Sequence, residues 1–557
     1  MTELRLLPTA VVTWLVVAAV ILSHSWLISA GIVLVALIIA GVLRQWGQLL
    51  VLGTVSSGAW ILTALRIKMA KDFQPPSQLI GEVAGVKLLE SGDQLITLTV
   101  EGYPVPISVF YGGEDTLEPS SVIAVTGTTK PDSFPGVGDI TVSAHEIELF
   151  AEASGYQAWV NHVRDEFAIS VQQAVGESSQ GLIPGMVLGD TRLQDEVETQ
   201  TYIDTGLSHL SAVSGSNVAI VVSSVVVLSY FLTAGPRTRV LSSLMALGVF
   251  VSLVGFEPSV LRAAVTGVVG LLAIINSSRM EPMHGLSLAI IVLLFYDSDL
   301  AVHYGFLLSC AATAGIVMLY PLLYRPMGKA LAVWKIPDLV VRALAVSIAA
   351  DLVTIPIVAL MARQVSLVAV LANVAVEAAV PPITLLGLIA VLLSLLPWPV
   401  EYPVLKLIEP FTWWIHHVAS WCQKLPHSQV TLPNDYLSLI WVCVLVLWIL
   451  IAINHGLIRL IIIGCGVFFG IQLLHAPLAE RVDPSTLNFQ VVEKEEDIAE
   501  LVENTEGIEL LIVEESTGRI STRPVVTPEG IPVLYPYRDG EVSLHVDGTQ
   551  HAADGRF

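Results

Sequence analysis

Apolar and polar positions come in blocks along this chain, and the blocks differ in period. Residues 9–67 hold three continuous apolar runs, roughly Thr9–Leu22, Trp26–Leu43 and Leu49–Leu65, of the kind that lies across a bilayer as helix. After Lys71 the period drops to two. Strands are predicted over Ile80–Leu88, Gln94–Val100, Val105–Phe110, Ser121–Gly127 and Ile140–Leu149, parted by turn residues such as Ser91-Gly92-Asp93 and Gly112-Gly113-Glu114. A helical period returns over 154–178. There Tyr156, Trp159, Val163, Phe167, Val171 and Ala174 share one stripe, while Asn161, His162, Arg164, Asp165 and Glu166 lie off it. This predicts an amphipathic helix with Ser154 as its cap, resting on a membrane surface or on the strands before it. Gly181, Gly185 and Gly189 then recur every four residues, a spacing that lets helix backbones pack closely. Gln194–Ile203 predicts a short exposed helix.

From Gly206 to about His475 the pattern is again apolar, with candidate spans at Val213–Leu232, Val240–Gly255, Val260–Ile275, Leu286–Phe295, Val302–Leu322, Val340–Met361, Val365–Val376, Pro382–Leu396, Tyr436–Ile453 and Leu457–Leu474. Several are short or broken by Pro and Gly. Loosened backbone at membrane depth is tolerated only inside protein or beside a cavity, so the pattern favours a transport body over a simple anchor. Phe411–Leu425, with Trp413, Trp414 and Trp421, predicts an interfacial helix. Past Ala476 the chain is polar, with strands predicted at Asn488–Val492, Glu509–Val513 and Val542–His545 and a helix at Glu495–Glu503.

The fold class that follows is a multi-spanning α-helical membrane protein. It carries a small extracellular five-stranded β-barrel, like the oligonucleotide-binding (OB) fold, an amphipathic helix, and a short soluble α/β C-terminal tail. The expected divisions are residues 1–72, 73–150, 151–205, 206–475 and 476–557.

Composition agrees: 54% of the 557 residues are hydrophobic and 14% charged. The formal net charge is −22, opposite to the basic excess usual in nucleic-acid-binding domains. Much of that acid lies in the tail, at Glu493, Glu495, Glu496, Asp497, Glu500, Glu503, Glu514 and Glu515, so the total says little about the membrane body. Cys310, Cys422, Cys443 and Cys465 lie in or beside apolar runs without metal-ligand spacing, and read as small buried hydrophobes. No dinuclear-metal HxxHxDH cluster and no GxxxxGK[ST] loop occurs, so neither metal nor cofactor is expected. Arg237, Arg239, Arg279, Arg325, Lys329 and Lys335 fall in alternate connections, and Glu257, Asp297 and Asp299 in the intervening ones. The positive-inside rule then places the N-terminus in the cytoplasm of a multi-pass plasma-membrane protein and residues 73–205 outside. Arg66, Lys68 and Lys71 run against that rule.

The polar chemistry concentrates where the chain re-enters the apolar block. Between Thr205 and Val222 stand His209, Ser214, Gly215 and Asn217, and polar groups at membrane depth normally face protein or a wet path. Arg262 sits in an apolar run at a cost of roughly 2.5–3.5 kcal/mol unless paired or hydrated, with an ion pair to Glu257 or contact with a phosphate as the two readings. Asp351 and Glu377 suit ion pairing or proton coupling, and Asn373 suits either a tie between helices or a pore lining.

Gly206-Leu207-Ser208-His209-Leu210 followed by Val213-Ser214-Gly215 resembles the signature of the ComEC competence family, bacterial membrane channels implicated in DNA uptake. Gly185-Met186-Val187-Leu188-Gly189-Asp190 resembles the family's Gly-rich approach to that signature, and Pro258-Ser259-Val260-Leu261-Arg262-Ala263-Ala264 its Arg-containing span. Tyr304-Gly305-Phe306-Leu307-Leu308-Ser309 and Gln364-Val365-Ser366-Leu367 with Asn373 and Pro381-Pro382 are similar to later family elements. The order is right over roughly residues 150–395. There are departures. The common form continues Ser-Gly-Leu-His where this chain has Ser214-Gly215-Ser216-Asn217, and Asn cannot carry a proton as His does. The external cysteine pair of some members is missing, and the tail has neither the length nor the ligands of the metallo-β-lactamase-like domain that ends many others.

The resemblance implies a non-enzymatic channel for single-stranded DNA. A lipid bilayer surrounds it, and a separate DNA receptor, nuclease and cytoplasmic ATPase are its partners; a homo-oligomer stays open. Two rivals remain. One is an ion-coupled transporter of a small solute built on Arg262, Asp351 and Glu377. The other is an intramembrane serine hydrolase pairing His209 with Ser214, for which no third member is evident.

Overall fold

The computed structural model describes residues 5–431 apart from 90–92, 114–116, 133, 139, 276–280 and 426–427. It also describes part of 440–451 and short segments between 487 and 552. The predicted span Leu457–Leu474 and helix Glu495–Glu503 lie outside the described residues.

Apolar runs become helices because a helix alone satisfies its backbone without water. Helices α1 (Leu7–Ser23), α2 (Trp26–Val42) and α3 (Trp46–Asp72) open the chain. Thr13 and Ser56, both buried, share a hydrogen bond of 3.1 Å that ties α1 to α3. Helices α4 (Tyr156–Ala174), α5 (Glu177–Gln180), α6 (Leu182–Leu188) and α7 (Glu196–Asp204) lead to the second apolar block. That block contains α8 (Gly215–Phe231), α9 (Pro236–Val254), α10 (Pro258–Ile275), α11 (Pro282–Tyr296), α12 (Tyr304–Leu331), α13 (Asp338–Ala362), α14 (Ala369–Val376), α15 (Val380–Leu393) and α16 (Tyr402–Gln423). Among the described residues, five segments are long and apolar enough to cross a membrane: α3, α9, α13, Tyr304–Trp334, and Ala369–Leu393 taken as one. Shorter apolar helices, α8 and α10 among them, accompany these. The protein is a membrane protein.

Strands β1 (Leu79–Leu88), β2 (Gln94–Val100), β3 (Ile107–Tyr111), β4 (Val122–Pro131) and β5 (Ile140–Ala151) close a barrel in the order β1-β2-β3-β5-β4. The β3–β5 pair is parallel; the others are antiparallel. Alternate side chains such as Ile96, Leu98, Val109, Ile123 and Val142 fill its interior, as the period-two pattern requires. Strands β4 and β5 outrun their predicted ends because they go on pairing to Pro131↔Ile140 and Val122↔Ala151, beyond the apolar alternation.

The barrel is seated on the helices. The backbone N–H of Val137, in the β4–β5 loop, donates to the Asp299 carboxylate between α11 and α12 at 2.6 Å. Val137, Leu300, Ala301 and Phe306 belong to one buried cluster with the barrel interior. Arg66, near the end of α3, donates to the Phe295 and Tyr296 carbonyls at the end of α11 (2.9 and 2.8 Å) and to the Ser298 hydroxyl (2.8 Å). Its charge is committed to a helix C-terminus, where a cation is favoured.

Helix α4 departs from its predicted form at both faces. Its N-cap is Gly155, and no side chain caps it, so Ser154 does not serve there. Tyr156 and Trp159 are exposed, whereas Asn161 is buried and donates to the Pro119 carbonyl (2.8 Å) and the Glu118 carboxylate (3.3 Å) of the barrel. The stripe from Val163 to Ala174 packs into a core shared with α6, α14, α15 and α16. The segment predicted as one span, Val365–Val376, is instead strand β6 (Gln364–Ser366) followed by α14, and β6 pairs with β7 (Gln429–Thr431). The predicted interfacial helix extends over the whole of α16, with Trp413, Trp414 and Trp421 exposed. In the tail, β8 (Phe489–Val492), β9 (Leu510–Val513), β10 (Val525–Val526) and β11 (Pro532–Leu534) form a sheet in the order β10-β11-β9-β8.

Helix α7 is not the exposed helix its polarity predicts. Glu198, Thr201, Tyr202 and Asp204 are buried because they satisfy one another and α16. The Tyr202 hydroxyl donates to Glu198 at 2.7 Å, and Gln423 donates to Asp204 at 3.1 Å. Burial pushes the Glu198 carboxyl from its usual 4.5 up to about 7, against the pull of the Tyr202 hydrogen bond. The folded protein therefore holds a proton there that the unfolded chain releases, and stability falls as pH rises through that window and levels off above it. The loss amounts to about 3 kcal/mol. The apparent melting temperature in detergent should drop between about pH 5 and about pH 8, and Glu198→Gln should flatten that slope.

Candidate functional site

The start of α8 is prepared by a turn. Gly206 has φ of +72°, and a Cβ there would stand 2.6 Å from the Ala369 Cβ at the head of α14, so the turn needs glycine on both counts. A single 3-10 turn, Ser208–Ser211, follows and presents His209 to the surface. The chain then extends through Ala212 and Val213 to Ser214, the N-cap of α8.

Helix α6 backs this turn. A Cβ on Gly185 would lie 3.1 Å from the Ser211 carbonyl oxygen, and one on Gly181 would lie 2.7 Å from the Gln194 Cα. Gly189, left-handed at the end of α6, lies against Val213 and Val254. Just beyond it Asp190 is buried and takes Arg192 through Nε (2.9 Å) and Nη2 (2.7 Å). Burial alone raises the Asp190 carboxyl, but the Arg192 guanidinium reverses this and holds it below the usual carboxylate range. Arg192 also binds Asp165 at 2.8 Å, fastening the loop to α4.

Asn217, 3% exposed, sits at the centre of the junction. Its amide donates to the Met186 carbonyl of α6 at 2.6 Å. Its oxygen accepts from the Ser214 hydroxyl and from Thr384 of α15, each at 3.3 Å. The Ser214 and Ser216 hydroxyls bond at 2.5 Å. Nearby, Ser259 at the start of α10 donates to the Val213 carbonyl at 2.8 Å.

Arg262 approaches the same helix end from α10. Its Nε donates to the Ser309 hydroxyl of α12 at 2.8 Å, and its Nη2 lies 3.0 Å from where a Cβ of Gly215 would be. Among the described residues it makes no ion pair, and Glu257 is exposed in the α9–α10 connection. Ser214, Gly215, Asn217 and Arg262 thus meet. Among the described residues, Asn373 in α14, Asp351 in α13 and Glu377 after α14 make no hydrogen bond or ion pair to them; Asp351 has Ser347 at 3.5 Å.

With this geometry, the chain's relatives can be placed. Residues 186–456 match the family model described as Competence protein. That stretch of the chain carries a competence-protein domain. Over 217 residues it is 26% identical to ComE operon protein 3 of Bacillus subtilis (strain 168), covering 36% of this chain and 28% of that protein. It therefore spans well under half the length of that curated relative. No solved structure matches it. The matched region begins at Met186, the residue whose carbonyl receives Asn217. Thr384 and Ser309 were not among the residues expected to act. Thr384 is a lone hydroxyl in an apolar run, and Ser309 ends the Gly-Phe-Leu-Leu-Ser element.

Asn217→Ala leaves the Met186 carbonyl without that donor and removes the acceptor of Ser214 and Thr384. It should cost about 1–3 kcal/mol, read as a lower melting temperature in detergent. An unchanged melting temperature would show that the junction does not hold α6, α8 and α15 together.

Proposed function

We propose that this protein is a channel for the uptake of single-stranded DNA into the cytoplasm during natural transformation. The observation that carries the reading is Arg262. A guanidinium inside an apolar body, bound to a hydroxyl and directed at the first turn of α8, pairs a fixed cation with the positive end of a helix. Both attract a phosphate, and a polyanion crossing hydrocarbon needs such groups. The match to the competence-protein family model supports a nucleic-acid cargo.

In this reading the protein is a multi-pass plasma-membrane protein with its N-terminus in the cytoplasm. Its barrel and α4–α7 stand outside, where a strand first arrives. Arg237, Arg239, Arg325 and Lys329 then lie at the cytoplasmic ends of α9 and α12. His209 and Ser214 guide the strand to the opening, and Asn373 contributes further along. The chain carries no chemistry of its own, so pulling and strand degradation fall to a separate ATPase and nuclease. The hydrolase reading loses support because Ser214 is engaged with Ser216 and Asn217.

The test is uptake of labelled DNA in cells whose own copy is deleted and replaced. Arg262→Ala should cut uptake at least about tenfold at unchanged membrane level, and Arg262→Lys should retain part of it, since a lysine keeps the charge but not the fork. Wild-type uptake by Arg262→Ala, or flux of a small solute in cells that take up no DNA, would reject the channel.

A further inference from the structure

We infer that Gly215 and Ser309 are positioning residues that fix where the Arg262 guanidinium stands. The inference rests on Arg262 being a phosphate contact. An arginine side chain has many rotamers, and a cation that must meet a moving chain works best when its direction is set beforehand. Ser309 sets it from one side: its hydroxyl accepts the Nε–H at 2.8 Å, which fixes the inner edge of the planar guanidinium and turns the Nη groups outward. Gly215 sets it from the other. The space a Cβ would take there is bounded by Nη2 at 3.0 Å and the Ala263 Cβ at 3.3 Å, so an alanine would need the guanidinium to shift by a few tenths of an ångström and a larger side chain by more.

Glycine at this position has a second effect. It is the first residue of α8, and no side chain caps that helix, because the Ser214 hydroxyl is turned to Ser216 and Asn217. Nη2 therefore approaches a helix N-terminus bare of side chain, and the guanidinium and the helix end act on the same small volume. Three positions far apart in sequence, 215, 262 and 309, meet at one level because α8, α10 and α12 all begin on the side of the bundle where the barrel is seated.

The experiment uses the full chain in lipid nanodiscs and a fluorescent oligothymidylate, with binding measured across a salt series. Each phosphate contact contributes about 0.7 to the slope of log affinity against log salt for a single strand. Arg262→Ala should weaken binding and lower that slope by about 0.7. Ser309→Ala should weaken binding about fivefold and Gly215→Ala about tenfold, as expected for losing the hydrogen bond and displacing the cation. Ser309→Thr, which keeps the hydroxyl, should bind as wild type. In an Arg262→Ala background neither Ser309→Ala nor Gly215→Ala should have any further effect.

If Arg262→Ala weakens binding while Ser309→Ala and Gly215→Ala bind as wild type, the positioning role is wrong and the phosphate contact stands. If the two variants weaken binding equally with or without Arg262, their role is structural and the inference fails. If Arg262→Ala binds as wild type with an unchanged slope, both the contact and its positioning fall. Should Gly215→Ala not yield folded protein, Ser309→Ala and its threonine rescue decide the matter alone.

Discussion

An amide or guanidinium enclosed in apolar surroundings has to find its hydrogen-bond partners within the protein, since leaving one unsatisfied costs as much as several good packing contacts return. The second half of this chain is arranged to meet that requirement. Asn217 draws a carbonyl from α6 and a hydroxyl from α15 to the head of α8. Arg262 draws a hydroxyl from α12 to the same place. These contacts run between helices that are not neighbours in sequence, so the order in which α6, α8, α10, α12 and α15 assemble is tied to a handful of polar groups. Apolar packing surrounds the junction and supplies most of the cohesion; the polar groups determine its register.

The same requirement explains why the polar segments lie where they do. Helix α7 is rich in Glu, Thr and Asp, yet it is held inside because Tyr202, Gln200 and Gln423 supply its partners. The loop after α6 turns back through the Asp190–Arg192 pair rather than running free. Strands β6 and β7 satisfy one another's backbone across a stretch that holds α14, α15 and α16 between them, which makes those three helices a closed unit.

Much of this architecture was legible in the chain. Period-two alternation marked all five barrel strands, and continuous apolar runs marked the helices, because both depend on local spacing. What escaped depends on distant partners. Nothing local tells Val365–Val376 that its first residues will pair with Gln429–Thr431. Nothing in Glu198 or Thr201 announces burial. At the site, the sequence singled out Ser214, Gly215, Asn217 and Arg262, and these lie together; it also singled out Asp351, Glu377 and Asn373, which lie in other helices. For Arg262 it weighed an acid and a phosphate, and the structure shows a serine hydroxyl, a partner whose reach across helices α10 and α12 no spacing rule contains. Arg66 broke the charge pattern for a reason equally invisible from sequence: its guanidinium serves the last carbonyls of α11.

The seating of the barrel carries a consequence for any long ligand. Only residues 73–78 separate α3 from β1, and at the same end of the barrel the Val137–Asp299 bond and a shared buried cluster hold it to the helices. A ligand segment resting on the barrel is therefore kept at a set distance from the head of α8, and its effective concentration there depends on the ligand's own slack rather than on a swinging tether. For any ligand that meets both parts, such a barrel is a fixed rim rather than a swinging line.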